Sequence, residues 1–235
     1  MPVFLDDVIV PFYEPVGATF RSAYVRGQIF FVQIGYTREN LEVWRPSAYD
    51  VSRTSATAFQ LVAAPGDAFA RAAPLHAPRL ETNEEFLGVR AKRRPVILLS
   101  PAPPDPQAPR VRTGGRVYRR LALVGPAYSL VNRHTGQLKY HPAFVEKLRM
   151  LAYPEFLYLP PYPGVLAFES YARVSELQAV YEPHLDARDA KLSAEALQVL
   201  QDQVLYLTTG RYEGAHADYR EQLMHQEGTE PSRDS

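Results

Sequence analysis

The amino-acid sequence predicts a mostly β protein with flanking α-helices, built around a small closed barrel. Short runs of β-branched and aromatic residues, separated by turns rich in Gly and Pro, recur along the chain. Two stretches carry a helical pattern, and strands are predicted before and after the first of them. Many short strands with few helices are typical of barrels whose helices pack on the outside.

The strand at the centre of this prediction follows a cluster of positive charges. Residues 90–101 have the sequence R-A-K-R-R-P-V-I-L-L-S-P, with four cations in the first five positions. The apolar run 96–99 is short, begins with β-branched residues and is closed by Ser100-Pro101, so we predict a buried strand. Because a buried strand is rigid, this arrangement suits the binding of an anionic ligand at its cationic end.

The remaining elements are predicted from hydrophobic periodicity and from turn residues. Further strands are predicted at residues 24–34, 41–45, 57–64, 155–159 and 165–171. A basic hairpin at residues 110–120 leads into one more strand. Helices are predicted at residues 142–151, which begin with proline, and at residues 193–209, with Ser193 as the N-cap and Gly210 as the terminator.

The chain is predicted to form one domain, residues 1–226, followed by a polar, disordered tail at residues 227–235. Residues 1–23 contain several prolines and are predicted to form a packed N-terminal arm. The N-terminal sequence lacks the basic and apolar segments of a signal peptide, and no apolar run reaches about 18 residues. We therefore expect a cytoplasmic protein that does not enter a membrane.

The charges of the chain are unevenly distributed although their sum is zero. Residues 90–120 hold nine Lys or Arg and a single acid, Asp105, whereas residues 181–235 hold eleven acids and five bases. One basic surface on a mildly acidic body favours binding of phosphate groups or of an acidic partner. An ordinary solvated hairpin, in a chain whose cations are almost all Arg, explains the same pattern equally well.

Several classes of protein are disfavoured by residues that the chain lacks. There is no cysteine, which excludes disulfides, thiolate catalysis and Cys-based zinc sites. The six histidines do not have the spacing of metal ligands, and the Gly-rich loop of nucleotide-binding proteins and the nucleophile motif of serine hydrolases are absent. We therefore expect no metal and no cofactor.

Four blocks of sequence, taken in order, resemble the MazF/PemK (Kid) toxin family. They are G-Q-I-F-F-V at residues 27–32, R-P-V-I-L-L-S-P at 94–101, L-V-G-P at 123–126, and E-S-Y-A-R-V-S-E-L-Q at 169–178 followed by K-L-S-A-E at 191–195. The resemblance covers roughly residues 24–35 and 90–210. It leaves residues 36–89 as an insertion after the first strand.

The resemblance implies a small SH3-like β-barrel of the MazF/PemK type with a C-terminal helix, here extended by the N-terminal arm and the 36–89 insertion. It also implies the toxin of a toxin–antitoxin system, an mRNA interferase that cleaves single-stranded RNA without a metal and leaves a 2′,3′-cyclic phosphate. The implied partners are single-stranded RNA, a cognate antitoxin protein and a second copy of the chain in a homodimer.

Three residues are the implied catalytic groups. Arg94 matches the arginine that opens the R-P strand of the family, and a permanently charged guanidinium suits the phosphate at which charge develops during cleavage. The family commonly has threonine just after the proline that ends the next long strand. Here Tyr128 stands at that place and Ser129 follows it, which puts the two side chains on opposite faces of a strand.

The predicted RNA-binding residues are the basic residues around the central strand and the basic and aromatic residues of the hairpin. Alternating cations and aromatic rings suit single-stranded RNA. They are Lys92, Arg93, Arg110, Arg112, Arg116, Tyr118 and Arg120. Alternatives remain open. Arg94 fits equally well in a structural ion pair, for example with Glu169, and His134 fits either a general base or an ordinary loop residue. The whole chain is also compatible with a catalytically inactive module that binds RNA or a protein, or with a gyrase-targeting toxin.

Overall fold

The computed structural model describes residues 2–36, 41–47, 58–76, 78–102 and 120–225. The chain divides into two compact units: the first comprises Met1–Gln33 with Arg93–Ser235, and the second is Ile34–Lys92. The second unit includes the 36–89 segment that the resemblance sets apart as an insertion. Most of the predicted basic hairpin and the whole of the predicted C-terminal tail lie outside the described residues.

Seven strands in succession follow a short first helix in the described residues, and the remaining strands and helices come after them. The strands are β1 (Tyr13–Glu14), β2 (Gln28–Gly35), β3 (Glu42–Pro46), β4 (Phe59–Ala63), β5 (Leu87–Gly88), β6 (Ala91–Ser100), β7 (Leu121–Ser129), β8 (Phe156–Leu159), β9 (Ser170–Arg173), β10 (Gln178–Tyr181) and β11 (Asp186–Leu192). The α-helices are α1 (Leu5–Val8), α2 (Pro142–Arg149), α3 (Ala194–Thr209) and α4 (Gly214–His225).

The first unit is built on one curled, largely antiparallel sheet of eight strands. Its order is β1-β11-β2-β6-β7-β9-β8, and β10 adds to β7. The central strand β6 pairs antiparallel with β7 in a register that sets Val96 opposite Pro126. Its run from Pro95 to Leu98 is buried, which confirms the prediction of a buried strand for this apolar run. A mostly β architecture with a few helices is therefore confirmed.

The second unit contains a three-stranded antiparallel sheet of its own, in the order β4-β3-β5. Its central residue Val43 is fully buried, and Arg45 and Arg71 both form ion pairs with the buried carboxylate of Glu85. Two cations on one buried acid compensate the cost of removing that acid from water. On the sheet, the ring of Trp44 packs on Phe59 at 4.7 Å between ring centres.

Two predicted strands, those at 24–34 and 165–171, begin well after their predicted start. The strand predicted at 24–34 starts at Gln28, because Gly27 adopts a left-handed backbone with φ +82° and the amide of Gln28 closes a turn on Val25. Val165 ends a turn and Leu166 forms an isolated bridge with Tyr162, so the strand itself is Ser170–Arg173. In both places the hydrogen bonds of a local turn lie just before the first residues of the strand.

The helix that closes the sheet begins and ends as its sequence indicates. The side chain of Ser193 caps α3 by accepting a hydrogen bond from the amide of Ala196, and Gly210 ends it in the left-handed conformation. Its buried residues include Val199 and Leu200, which join the main core. Among the described residues, no helix is long and apolar enough to cross a membrane.

Candidate functional site

The register of the sheet brings Arg94 and Tyr128 together. Val96 on β6 faces Pro126 on β7 in an antiparallel pair, so Arg94, two residues before Val96, is opposite Tyr128, two residues after Pro126. Side chains directly opposite on neighbouring strands share a face of the sheet. The Cζ atom of Arg94 lies 4.4 Å from the centre of the Tyr128 ring, a cation–π contact in which both residues are half-buried.

The hydroxyl of Tyr128 is held by a carboxylate. It donates a hydrogen bond to Oε2 of Glu176, in the 3₁₀ turn that follows β9. The other oxygen of Glu176 lies 3.2 Å from Nη1 of Arg173. We call Arg94, Tyr128 and Glu176, which are in contact, the Arg94 centre. The guanidinium of Arg173 orients the carboxylate of Glu176.

An aromatic layer fixes the ring of Tyr128. Tyr128 stacks on Tyr171, its partner on β9, with ring centres 5.6 Å apart. The hydroxyls of Tyr171 and Tyr140 share a hydrogen bond of 2.9 Å, and Phe156 meets Tyr171 edge-on at 5.2 Å. Because aromatic rings packed in this way have little rotamer freedom, the Tyr128 hydroxyl is preorganised toward Glu176.

Another phenol, that of Tyr158, lies on β8 opposite Tyr171. Tyr158 is fully buried and donates a hydrogen bond of 2.6 Å to Oε1 of Glu169. Burial and then the hydrogen bond and charge of Glu169 raise the pKa of Tyr158 far above its usual range. Tyr158 is therefore a permanent hydrogen-bond donor, and Glu169, which the sequence suggested as a partner for Arg94, accepts its hydrogen bond.

Ser129 is not brought to the Arg94 centre. It follows Tyr128 on β7, so its side chain points to the opposite face of the sheet. Its hydroxyl donates to the carbonyl of Val131 at 2.8 Å and accepts from the amide of the same residue at 3.2 Å. Both bonds belong to the turn that ends β7, and this turn occupies the hydroxyl.

The predicted RNA-binding residues fall into three groups. Arg93 lies on the face opposite Arg94, where it contacts Phe31 and forms an ion pair with Asp186. Arg120 forms a 2.5 Å ion pair with Glu182, and Lys92 is exposed. The remaining predicted residues lie outside the described residues, and they are Arg110, Arg112, Arg116 and Tyr118.

Two further expectations concern His134, as a general base or an ordinary loop residue, and the absence of a metal. The amide of His134 donates to Oδ1 of Asn132 in an exposed turn. Within the described part of the chain, no group of three His, Asp or Glu side chains lies close enough to hold a metal ion. At the Arg94 centre, the groups that can exchange a proton and are in contact are Tyr128 and Glu176.

Glu176 and Tyr171 were not predicted as site residues. Both belong to the block 169–178 that carries part of the family resemblance, but nothing in their spacing indicates contact with Tyr128. The signal that finds Tyr171 is strand pairing, because β7 and β9 set Tyr128 and Tyr171 opposite each other. Glu176 is reached only through the turn after β9, which no periodicity predicts.

Fold and site together define an antiparallel β protein whose sheet carries an arginine on a carboxylate-bound tyrosine. No protein-family model matches the chain, and a sequence comparison with curated proteins finds no match either. The function is therefore inferred from the chemistry of the site itself.

Proposed function

We propose that the chain is a metal-independent endoribonuclease of the MazF/PemK type that binds and cleaves single-stranded RNA at the Arg94 centre. One observation carries the proposal: Arg94 lies 4.4 Å over the ring of Tyr128, and the hydroxyl of Tyr128 donates to Glu176. A fixed cation next to a phenol and a carboxylate supplies the charge stabilisation and the proton acceptor that RNA cleavage needs.

In this proposal, the ribose 2′-hydroxyl attacks the adjacent phosphorus while the bond from phosphorus to the 5′-oxygen breaks. The 2′ proton moves to the oxygen of Tyr128 as the phenol proton passes to Glu176. Arg94 holds the non-bridging oxygens, on which negative charge increases. The departing 5′-oxygen takes a proton from water, and the hydroxide that remains takes the proton from Glu176 and becomes water again. The products are a 2′,3′-cyclic phosphate and a 5′-hydroxyl.

The same proposal assigns the protein partners. An SH3-like barrel of this type functions as the toxin of a toxin–antitoxin pair, as a homodimer, and the antitoxin covers the surface around Arg94. The positive charge of Arg94, which lies over Tyr128, supports contact with an acidic antitoxin segment. Size measurement in solution and co-purification with an acidic protein encoded next to it test these assignments.

The test of cleavage is incubation of the purified protein with single-stranded RNA in EDTA, with sequencing of the product ends. We expect sequence-specific products with 2′,3′-cyclic phosphate ends, and we expect them to disappear in Arg94→Ala. Tyr128→Phe removes the hydroxyl that contacts Glu176 and should slow cleavage about 10²-fold. Tyr140→Phe is the matched control, because it removes a hydroxyl from the same aromatic layer that bonds Tyr171 instead.

A second candidate is a binding module of the same fold that does not cleave RNA. The observation that favours it is Ser129, whose hydroxyl is held by the backbone of Val131 away from the face of Arg94. Wild-type protein that binds RNA with a strong salt dependence but leaves it intact would exclude the nuclease and establish this candidate.

A further inference from the structure

A second cluster of cations lies on the face of the sheet opposite Arg94. It spans three neighbouring strands, β11, β2 and β6. Asp186 on β11 is directly opposite Phe31 on β2. The guanidinium of Arg188 lies 4.9 Å from the centre of the Phe31 ring, and that of Arg93 lies 5.2 Å from it. One ring thus carries two cations.

Both cations share one carboxylate. Arg188 donates to Asp186 with contacts of 2.8 and 3.3 Å, and Arg93 donates to the same carboxylate. Two guanidiniums and one carboxylate leave a net charge of +1. All three side chains reach solvent, since 53% of Arg93, 42% of Asp186 and 31% of Arg188 are exposed. An exposed ion pair contributes little to stability, so stability alone does not explain a doubly paired acid at this place.

The cluster is supported from below by a buried polar residue. Gln28 is fully buried, and its amide group donates to the carbonyl of Arg188 at 3.1 Å and to that of Phe20 at 2.7 Å. Its oxygen accepts from the amide of Val25 at 3.2 Å. Each polar atom of the Gln28 amide group therefore has a partner, and the backbone beneath Arg188 is held rigidly.

A small recess shares Phe31 with the cluster. Phe31 lines it together with Pro95, Ser129, Arg133 and Ser170, and the recess has a volume of about 20 Å³. That volume admits one oxygen-sized group and excludes a nucleobase or a side-chain ring. The surroundings combine the guanidiniums on Phe31 with a further arginine at the recess, which favours a small, multiply charged oxyanion.

We propose that Arg93 and Arg188, aligned on Phe31, bind a phosphate group, and that Asp186 is the internal anion which the phosphate displaces. Planar guanidiniums on an aromatic ring can each offer two donors to phosphate oxygens, and one oxygen fits the recess beside Phe31. The phosphate belongs either to a nucleic-acid strand or to a free phosphate ion. This site does not depend on cleavage at Arg94, because its residues and its face of the sheet are different.

The test is calorimetric titration of the protein with inorganic phosphate at constant ionic strength, with chloride as the replaced ion. A second arm measures binding of short 2′-O-methyl RNA, which cannot be cleaved, with either a phosphate or a hydroxyl at the 5′ end. The variants are Arg188→Ala, Arg93→Lys and Asp186→Asn. Arg21→Ala is the matched control, since Arg21 also lies on a phenylalanine ring, 5.0 Å over Phe20.

We expect Arg188→Ala to weaken phosphate binding about tenfold, as the loss of charge-assisted hydrogen bonds requires. Arg93→Lys retains the charge but loses the second donor, and it should weaken binding about threefold. Asp186→Asn removes the competing anion, so it should tighten binding about fivefold. Tighter phosphate binding in Asp186→Asn distinguishes a ligand site from a purely structural ion pair, because breaking a structural pair would not raise the affinity. Melting curves of all variants verify that they fold.

The two arms distinguish the source of the phosphate. Saturable binding of inorganic phosphate with these variant effects supports the site and assigns it to the free ion or to a terminal phosphate. Variant effects seen only with RNA support the site and assign it to the phosphodiester backbone. Binding that is equal in wild type, Arg188→Ala and Arg21→Ala, or that weakens in Asp186→Asn, overturns the proposal. RNA cleavage is measured in the same variants. We expect Arg94→Ala to lose cleavage and Arg188→Ala to retain it, so failure of the nuclease proposal can be told apart from failure of the phosphate site.

Discussion

Arg93 and Arg94 are neighbours in the sequence, yet they belong to different surfaces of the protein. Both lie on β6, where successive side chains point to opposite faces. Arg94 packs on Tyr128 and is half-buried, whereas Arg93 packs on Phe31 and is 53% exposed. A cluster of cations in sequence becomes two separate sites when a strand carries it.

The two arginines also differ in how they meet negative charge. Arg94 contacts a phenol that is bonded to Glu176, so a proton-transfer group lies at the point of contact. Arg93 and Arg188 both contact the carboxylate of Asp186 directly. A carboxylate between two guanidiniums occupies the position that a bound anion would take. The first arrangement suits catalysis and the second suits binding.

The largest expected effect comes from exchanging alanine for each arginine in turn. Arg94→Ala should lower the rate of RNA cleavage by about 10²–10³-fold, because it removes the cation that faces the developing charge. Arg93→Ala should leave the rate at saturating RNA within about threefold and act on phosphate affinity instead. Single-turnover cleavage at several RNA concentrations measures both quantities, and equal losses of rate in the two variants would contradict the division into two sites.

The second effect is on the free energy of unfolding and arises at α4, away from both Arg93 and Arg94. His216 on α4 is fully buried, and neither ring nitrogen has a hydrogen-bond partner. Burial first, and then the positive charge of Arg220, lower its pKa to about 4, although Asp202 on α3 opposes the shift. Between about pH 6.5 and pH 4 the unfolded chain therefore binds a proton at this residue that the folded chain does not.

The sign of the pH effect follows from that difference. The free energy of unfolding should fall as the pH drops from about 6.5 to 4, by about 3 kcal/mol in total from this group. Urea unfolding of wild type and of His216→Leu at several pH values measures it, with His184→Gln as a control at an exposed histidine. A constant difference between wild type and His216→Leu over this range would show that His216 has the same pKa in the folded and the unfolded chain, and would contradict the prediction.

The third effect distinguishes the two hydroxyls of the aromatic layer. Tyr128→Phe should lower the free energy of unfolding by about 2 kcal/mol, since the lost hydrogen bond ends on the carboxylate of Glu176. Tyr140→Phe should cost about 1 kcal/mol, because its partner is the neutral hydroxyl of Tyr171. Denaturant unfolding at pH 7 gives both values. If Tyr140→Phe were the more costly substitution, Glu176 would not be the anchor of the Arg94 centre.

Local signals were sufficient to predict several elements of this fold. The apolar run after Pro95 predicted the buried part of β6, and Ser193 and Gly210 predicted both ends of α3, because caps and short apolar runs act over a few residues. The helix α4 was not predicted. Its buried residues are His216 and Leu223, which form no apolar stripe.

The candidate site was predictable in part for the same reason. The R-P element and its resemblance pointed to Arg94, and strand alternation indicated that Tyr128 and Ser129 face opposite sides. Contacts between distant segments were not predictable from one sequence. Tyr128 meets Glu176, and Phe31 meets Arg188, only through the pairing order of the sheet and a turn beyond its edge. Such pairings depend on the whole fold rather than on local propensity.

The smallest expected effect is that of Ser129, and it tests which face performs the chemistry. Ser129→Ala removes two hydrogen bonds to Val131 in the turn after β7, so it should lower the free energy of unfolding by about 1 kcal/mol. Since Ser129 lies on the face opposite Arg94, the cleavage rate should change by less than about twofold. A rate loss as large as that of Tyr128→Phe, measured in the same assay, would show that the reacting ribose lies on the face of Arg93. Catalysis at Arg94 and binding at Arg93 could then no longer be assigned to separate faces.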